Sequence, residues 1–357
     1  MKLAIVFGTR PELLKLIPII RALENHRPGT VALLDTQQQR ELTSTLLNDY
    51  DLGQIPVIRF DAQRSTMSKQ LGSQLLQLDD LVNGCAGIVV QGDTISSVAG
   101  ALVGFYRELP VVHIEAGLRS HDKSQPYPEE MNRRLVSEIA GLHLAPTQKA
   151  KQHLLDSGIK GDTISVVGNP LADLCREVDI NGGNHWDVLI TLHRRENRAS
   201  GIRELCMALP QLLSQYPRYR FAIVQHTHPE VHRRFMCYLP QHANLDYAPP
   251  MTHHAFLNAL CASKLVITDS GGVQEEAAMF GIATLVMRGV LDREDGIAEG
   301  TARLVDANCD EIVSGANYIL QNHDPLKPLR SIPYEGCSEL IAAHILAYYA
   351  LDQESVA

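Results

Sequence analysis

The 357-residue sequence lacks several patterns that would place it in a well-defined class. Its seven cysteines are odd in number and widely spaced, with no CxxC pair, which indicates buried thiols in a reducing compartment rather than a disulfide framework or a zinc ribbon. No apolar run approaches the roughly 18 residues that a membrane helix needs. The first residues, 1–7, have neither the length nor the cleavage site of a signal peptide. We therefore expect a cytoplasmic protein that does not bind membranes.

Positive charge is also scarce, since 32 Lys and Arg face 41 Asp and Glu, giving a formal charge of −9. This balance argues against a protein that coats nucleic acid or an anionic membrane, although it allows a local pocket for one phosphorylated ligand. A GxGxxG dinucleotide fingerprint is missing. HExxH is missing too, and no cluster with metal-ligand spacing stands out, so we predict no metal ion.

What is present is an alternation of short apolar runs and longer amphipathic segments, which is typical of parallel sheets buried on both faces. It predicts an α/β fold of two doubly wound, Rossmann-like domains, over residues 1–168 and 169–334. A helix over 335–357 could pack back on the first domain, and a polar stretch at 179–184 is typical of a linker. The predicted strands are 2–7, 31–34, 87–91, 110–115, 142–145, 187–192, 220–225, 264–268 and 282–287.

Charged residues in the first half lie where predicted strands end, and ligands bind at that edge of such sheets. Residues 8–12, together with Lys15 on the following helix, could cradle a phosphate, or could form a plain turn with solvated charges. Asp93 and Glu115 each close an apolar strand, and residues 128–134 add a third acidic site. Each carboxylate alone could cap a helix or complement its dipole. Together, the three favour acid/base chemistry.

Two segments of the second half are candidates for binding phosphate. Residues 193–197 (HRREN) place a histidine and two arginines after a predicted strand, although a solvated basic loop would have the same composition. Residues 270–272 (SGG) open a helix whose backbone N–H groups and positive dipole end can hold a diphosphate. Glu276, further along that helix, could accept hydrogen bonds from ribose hydroxyls.

The chain resembles the non-hydrolysing UDP-N-acetylglucosamine 2-epimerases in six segments, which occur in the order and with the spacing of that family. They are residues 8–12 (GTRPE), 92–94 (GDT), 113–119 (HIEAGLR), 128–133 (PEEMNR), 193–197 (HRREN) and 269–276 (DSGGVQEE). The resemblance implies a glycosyltransferase-B-like fold, an active site in the interdomain cleft, and a homodimer. It also implies reversible conversion of UDP-GlcNAc to UDP-ManNAc, through elimination of UDP to 2-acetamidoglucal and re-addition, for which no cofactor is needed.

This chemistry removes a proton from one face of C2 and returns it to the other, so it needs two differently placed acid/base groups. The residues that the resemblance makes catalytic are Asp93, Glu115, Glu129 and His193. Those that it places on UDP or the sugar are Arg10, Lys15, Arg133, Phe256, Ser270, Gly271, Gly272, Glu276 and Arg293.

The chain departs from the family pattern at residues 36–40 (TQQQR), at Gln91 in place of a usual His, at 291–295 (LDRED) and at 333–336 (PYEG). The first departure affects a second UDP-GlcNAc site that activates many bacterial members. We predict weak or absent activation by substrate. The residues that would remain of that site are Gln38, Gln39, Arg40 and His226.

Several functions stay open at this point. The chain could epimerise a modified UDP-sugar such as a diacetamido-uronate, or be a hydrolysing 2-epimerase, although Pro11 and Glu12 argue against hydrolysis. It could also be a glycosyltransferase of the same fold or a non-catalytic UDP-sugar sensor. The resemblance further suggests that the product feeds an envelope or capsular polysaccharide.

Overall fold

A computed structural model describes residues 2–59, 66–177, 186–192, 197, 200–225, 229–287, 302–322 and 336–354. The chain divides into two compact units. The first consists of Met1–Leu174 together with Tyr334–Ala357, and the second of Cys175–Pro333. The division therefore falls after Leu174 rather than after residue 168, and the C-terminal residues belong to the first unit. The predicted linker at 179–184 lies outside the described residues.

The first unit contains a wholly parallel sheet in the order β3-β2-β1-β4-β5-β6-β7. Its strands are β1 (Lys2–Phe7), β2 (Val31–Asp35), β3 (Val57–Arg59), β4 (Cys85–Gln91), β5 (Val111–Ile114), β6 (Leu142–Ala145) and β7 (Ile164–Val166). The central strands β1, β2 and β5 are almost completely buried. Helices therefore cover both faces of the sheet, as continuous apolar strands predict.

The described helices of this unit connect successive strands, with two exceptions: Leu171–Arg176 follows β7 and spans the division after Leu174, and the last helix returns from the end of the chain. They are α1 (Arg10–His26), α2 (Arg40–Asp49), α3 (Met67–Leu81), α4 (Ile95–Tyr106), α5 (Glu129–Ile139), α6 (Gln148–Asp156), α7 (Leu171–Arg176) and, at the C-terminus, Cys337–Glu354.

The second unit repeats this design with the order β10-β9-β8-β11-β12-β13, again parallel. Its strands are β8 (Val188–Thr191), β9 (Phe221–Val224), β10 (Leu245–Ala248), β11 (Leu265–Thr268), β12 (Ala283–Met287) and β13 (Ala302–Val305). Its described helices are α8 (Gly201–Gln215), α9 (Pro229–Tyr238), α10 (His253–Cys261), α11 (Gly271–Met279) and α12 (Cys309–Asn322), so the C-terminal helix is α13. Two doubly wound α/β units are thus present, as predicted.

Helix α13 is fastened to the first unit by its aromatic side chains. Tyr349 is 1% exposed, and its hydroxyl donates to the carbonyl oxygen of Ile88 at 3.0 Å. The ring lies against β4 where Gly87 has no side chain, since a Cβ there would come within 1.9 Å of it. At the start of the helix, the amide of Ser338 donates to Asp173 at 2.7 Å. The C-terminal residues therefore complete the core of the first unit.

The sequence did not predict four short strands, β3, β7, β10 and β13, and each lies at an edge of its sheet. Edge strands are covered on fewer sides, so they carry partly exposed residues instead of a continuous apolar run. Among the helices of the described residues, none combines the length and the hydropathy that crossing a membrane requires.

Candidate active site

Each sheet has a topological switch point, where the strand order reverses, and ligands bind at the carboxyl ends of the strands there. In the first unit this point lies between β1 and β4, and in the second between β8 and β11. The loops that leave these strands carry residues 8–12 and 92–94 in the first unit, and 269–272 in the second. The fold therefore places three of the six sequence motifs, wholly or in part, at a switch point.

Asp93 follows β4 and is held by Arg133 of α5. Its Oδ2 atom accepts from Nε of Arg133 at 2.8 Å and lies 2.7 Å from Nη2 of the same guanidinium. The Arg133 side chain is 8% exposed and that of Asp93 22%. Asn132 donates its side-chain amide to the backbone oxygen of Asp93 at 2.8 Å. The loop after β4 is thus fixed from α5, and its carboxylate remains within reach of solvent.

Glu115 follows β5 with a φ of 63°, a left-handed backbone conformation that is uncommon outside glycine. Its Oε1 atom lies 2.5 Å from Nζ of Lys15, and both side chains are at least nine-tenths buried. Its Oε2 atom accepts a hydrogen bond from the amide of Gln91. Strain of this kind is often found at functional sites, where surrounding contacts hold it in place. We call Lys15, Asp93, Glu115 and Arg133 the carboxylate cluster.

Glu12 links the loops after β1 and β4 through hydrogen bonds to both. Its Oε2 atom accepts from the amides of Gly8 and Thr9, at 3.0 and 2.8 Å, which forms a capping box at the start of α1. Its Oε1 atom accepts from the hydroxyls of Thr94 and Ser97, at 2.6 and 3.2 Å. Burial raises the pKa of Glu12 to about 7, although these hydrogen bonds oppose the change.

The acidic pair that opens α5 divides into two different environments. Glu129 is the first residue of the helix and is partly buried. Glu130 is fully buried, accepts from the amide of Ser120 at 2.9 Å, and forms an ion pair with Arg134 at 2.8 Å. Burial opposes ionisation of Glu130, but the bonds from Ser120 and Arg134 together lower its pKa. Glu130 therefore anchors the loop at Ser120, and the catalytic role of Glu129 stays a prediction.

In the second unit, Ser270 caps α11, although its hydroxyl is 3.5 Å from the amide of Val273. The next two residues are glycines, and a Cβ on Gly271 would meet no described atom within 4 Å. The first amides of a helix have no intrahelical acceptor and carry the positive end of the helix dipole. Among the described residues this turn therefore leaves open space beside Gly271, while the amide of Ser270 donates to Oγ1 of Thr268 at 3.0 Å; diphosphate binding at residues 270–272 stays a prediction.

Glu276 lies on α11 and is 2% exposed. Its Oε1 atom lies 2.7 Å from Nε2 of His253, whose side chain is completely buried. Its Oε2 atom is also buried and has no hydrogen-bond partner among the described residues. A buried carboxylate oxygen in that state is ready to accept from a ligand hydroxyl. Phe256, one turn after His253 on α10, is 7% exposed.

Asn197 connects the ends of β11 and β12. Its side-chain amide donates to Oδ2 of Asp269, which follows β11, and to the carbonyl oxygen of Met287, both at 3.0 Å. Asp269 and Asn197 are both buried. The last residue of the HRREN motif thus supports the loop at Ser270. His193 of the same motif lies outside the described residues, as do Arg293 and His226.

Residues 36–40, where we predict that a second UDP-GlcNAc site is altered, lie against the loop after β1. The amide of Gln39 donates to the carbonyl of Gly8 at 2.8 Å, and its side chain accepts from the amide of Arg10 at 2.9 Å. Gln38 is partly buried beside Gly8, and Arg40 is the exposed first residue of α2. The altered segment therefore supports the backbone of Arg10, a predicted UDP ligand.

Sequence reasoning missed two contributors to the site. His253 holds Glu276, and Gln91 holds Glu115. Neither belongs to a local motif that predicts its partner, because the partners lie 23 and 24 residues away in sequence. The sequence offered two signals for Gln91, namely its place where the family pattern usually has a His and its polarity at the end of a buried strand, but neither predicts that it contacts Glu115. Lys15 and Arg133 were expected on the nucleotide, and in the structure both contact carboxylates.

Comparison with known proteins identifies the family to which this chain belongs. The model of the UDP-N-acetylglucosamine 2-epimerase family matches residues 21–343. A UDP-N-acetylglucosamine 2-epimerase of Neisseria meningitidis serogroup A is 32% identical over 360 residues, covering 94% of this chain and 95% of that protein. The chain therefore belongs to the UDP-N-acetylglucosamine 2-epimerase family, as its six motifs predict.

Solved structures agree with this assignment. A structure of Staphylococcus aureus MnaA with UDP has a TM-score of 0.87 and 31% identity, covering 98% of this chain and 97% of that one. The Neisseria meningitidis UDP-GlcNAc 2-epimerase bound to UDP-GlcNAc has a TM-score of 0.85 and 29% identity, covering 97% and 100%. Both structures therefore share the fold of this chain over nearly its full length.

Proposed function

We propose that this protein interconverts UDP-GlcNAc and UDP-ManNAc by eliminating UDP across C1 and C2 and adding it back. The observation that carries the proposal is the carboxylate cluster at and beside the first switch point, where two partly buried carboxylates are each paired with a cation. Family membership supports the substrate, since a relative of similar fold is bound to UDP-GlcNAc.

In the elimination, a carboxylate takes the proton from C2 while the bond between C1 and the UDP oxygen breaks. The electrons of the C2–H bond form the C1–C2 double bond of 2-acetamidoglucal, and UDP leaves as the anion. In the reverse step UDP adds to C1, and a second group returns a proton to the opposite face of C2. Asp93, Glu115 and Glu129 are the acid/base groups that we propose for these transfers.

UDP needs donors that stabilise it both as a substituent and as a leaving group. We propose that the turn at residues 270–272 binds the diphosphate, that Glu276 accepts from the ribose, and that Phe256 lies against the base. Arg10, His193 and Arg293 would add charge to the phosphates. Lys15 and Arg133 would act through Glu115 and Asp93, the carboxylates that they contact.

The proposal is tested by following the purified protein with UDP-GlcNAc in deuterated water by NMR. UDP-ManNAc carrying deuterium at C2 is the expected product. Free ManNAc together with UDP would instead establish a hydrolysing 2-epimerase. An unchanged spectrum from a protein that binds UDP would contradict the proposal and point to another UDP-sugar or to a sensor. We also expect conversion of UDP-ManNAc to proceed without added UDP-GlcNAc.

A further inference from the structure

Gln91 is the last residue of β4 and is 2% exposed. Buried polar side chains are usually satisfied by hydrogen bonds, so the partner of such a residue shows what it does. The Gln91 amide donates through Nε2 to Oε2 of Glu115. Because an ionised carboxylate only accepts hydrogen bonds, the NH₂ group of the amide must face it.

Glu115 receives this donor on one oxygen and Lys15 on the other. Lys15 Nζ lies 2.5 Å from Oε1, and the amide of Gln91 contacts Oε2. The last torsion of a glutamate side chain is soft and roughly two-fold, so one donor alone leaves the plane of the carboxylate free to turn. Two donors on different oxygens fix that plane.

The ends of β4 and β5 are joined independently of the Gln91 side chain. The amide of Gly92 donates to the carbonyl of Ile114 at 2.9 Å. Nε2 of His113 lies 2.9 Å from the carbonyl oxygen of Gly92, and complete burial lowers the pKa of His113 to about 3, so the ring is neutral and its Nε2–H donates. Because these bonds already hold the two loops together, the Gln91 amide acts on the carboxylate of Glu115.

We infer that Gln91 is a positioning residue that, opposite Lys15, fixes the plane in which the Glu115 carboxylate meets the proton at C2 of the sugar. The inference rests on the proposed function, in which Glu115 is an acid/base group. Proton transfer depends on the direction of the carboxylate lone pairs as well as on distance. Loss of the amide donor therefore lowers the rate of the chemical step while substrate binding is retained.

The test compares Gln91→Met, which keeps the volume and removes the donor, with Gln91→His, whose ring N–H can donate again. We expect Gln91→Met to lower kcat by about 10- to 100-fold, with KM and the Kd for UDP changed by less than about twofold. Gln91→His should recover most of the loss. If Gln91→Met does not fold, Gln91→Asn replaces it, because the shorter side chain keeps the amide but holds it too far from Glu115 to donate. The same loss of kcat is then expected.

Gln74 offers a matched control. It is a completely buried glutamine of α3, and both of its side-chain polar atoms lack a hydrogen-bond partner among the described residues. Gln74→Met should leave kcat unchanged. A double-mutant cycle adds a second readout: because Gln91 acts through Glu115, Gln91→Met should not lower the residual activity of Glu115→Gln any further.

Three results would overturn the inference. The first is a Gln91→Met protein with the kcat of the wild type. The second is a parallel loss of kcat, UDP affinity and thermal stability that Gln91→His does not recover, which would make Gln91 a packing residue. The third is an additive loss in the Glu115→Gln background. A wild-type protein that binds UDP without converting UDP-GlcNAc would contradict the proposed function itself, together with this inference.

Discussion

The two switch points of this molecule have the same topology and different chemistry. At the first, carboxylates are paired with cations, Asp93 with Arg133 and Glu115 with Lys15. At the second, residues 270–272 supply backbone donors and open space, and the carboxylate of Glu276 is held by His253. We therefore propose that one fold is used twice, once to move a proton and once to bind a diphosphate and a ribose. The family to which the chain belongs gives a reason for both.

The difference between the two switch points is tested most directly by removing a charge from the first. Asp93→Asn should lower kcat by about 10³-fold, because general acid/base groups contribute about 10²- to 10⁴-fold, and should leave the Kd for UDP within about twofold. Turnover by NMR and UDP binding by calorimetry check it. Exposed Asp156→Asn, in the same unit, should change neither quantity. A parallel loss of UDP affinity in Asp93→Asn would show that Asp93 supports the structure of the site.

The sequence predicts the buried central strands better than it predicts the edge strands. Buried central strands such as β1 and β11 are continuous apolar runs, and they were predicted within one or two residues. The edge strands β3 and β13 were missed because most of their residues are partly or fully exposed, so neither forms a continuous buried run. Burial depends on neighbours that are distant in sequence, so a short strand at an edge leaves little local signal.

The site shows the same limit. Asp93, Glu115 and Ser270 were predicted because strand ends at a switch point are where such a fold binds ligands. Their partners were not, since the contact between Lys15 and Glu115 spans 100 residues and that between Asp93 and Arg133 spans 40. Sequence spacing gives the helix face on which Lys15 lies, but packing decides whether its ammonium group meets a phosphate or a carboxylate.

A second way to sharpen the comparison uses the pH dependence of stability. Glu12 has its pKa raised from 4.5 to about 7 by burial, so the folded chain binds more protons than the unfolded chain between these pH values. Its contribution to stability is complete below pH 4.5 and is lost as the pH rises through 7. The free energy of unfolding of the wild type should therefore fall by about 3 kcal/mol relative to Glu12→Gln across this range.

Urea unfolding between pH 4.5 and 8 measures this difference. Glu108→Gln, which removes an exposed carboxylate of the same unit, should follow the wild type at every pH. If Glu12→Gln also runs parallel to the wild type, then the hydrogen bonds from Thr9 and Thr94 hold Glu12 ionised in the folded protein, and the first switch point carries one more fixed charge than we expect.

A substitution at the second switch point should change the affinity for UDP rather than kcat. Glu276→Gln weakens the acceptor that we propose for the ribose, so the Kd for UDP should rise by about tenfold while kcat at saturating substrate stays within about threefold. The preference for UDP over 2′-deoxy-UDP should shrink in the same variant. Exposed Asp310→Asn serves as the control. A loss of kcat as large as that of Asp93→Asn would contradict the division of roles between the two switch points.

The smallest effects are expected from substitutions of the N-cap residues of the helices that follow β4 and β11. Thr94 accepts from the amide of Ser97 at 3.2 Å and also donates to Glu12, whereas the corresponding bond of Ser270 to Val273 is 3.5 Å long. Thr94→Ala should therefore cost about 1 to 2 kcal/mol of stability, and Ser270→Ala about 0.5 kcal/mol. Hydrogen exchange at the amides of Ser97 and Val273 measures each helix separately.

Because a weakly held cap leaves its donors available to a ligand, UDP should slow exchange at Val273 and leave Ser97 unchanged. Equal costs for the two caps, or protection of both amides by UDP, would show that the second helix start is no more open to a ligand than the first.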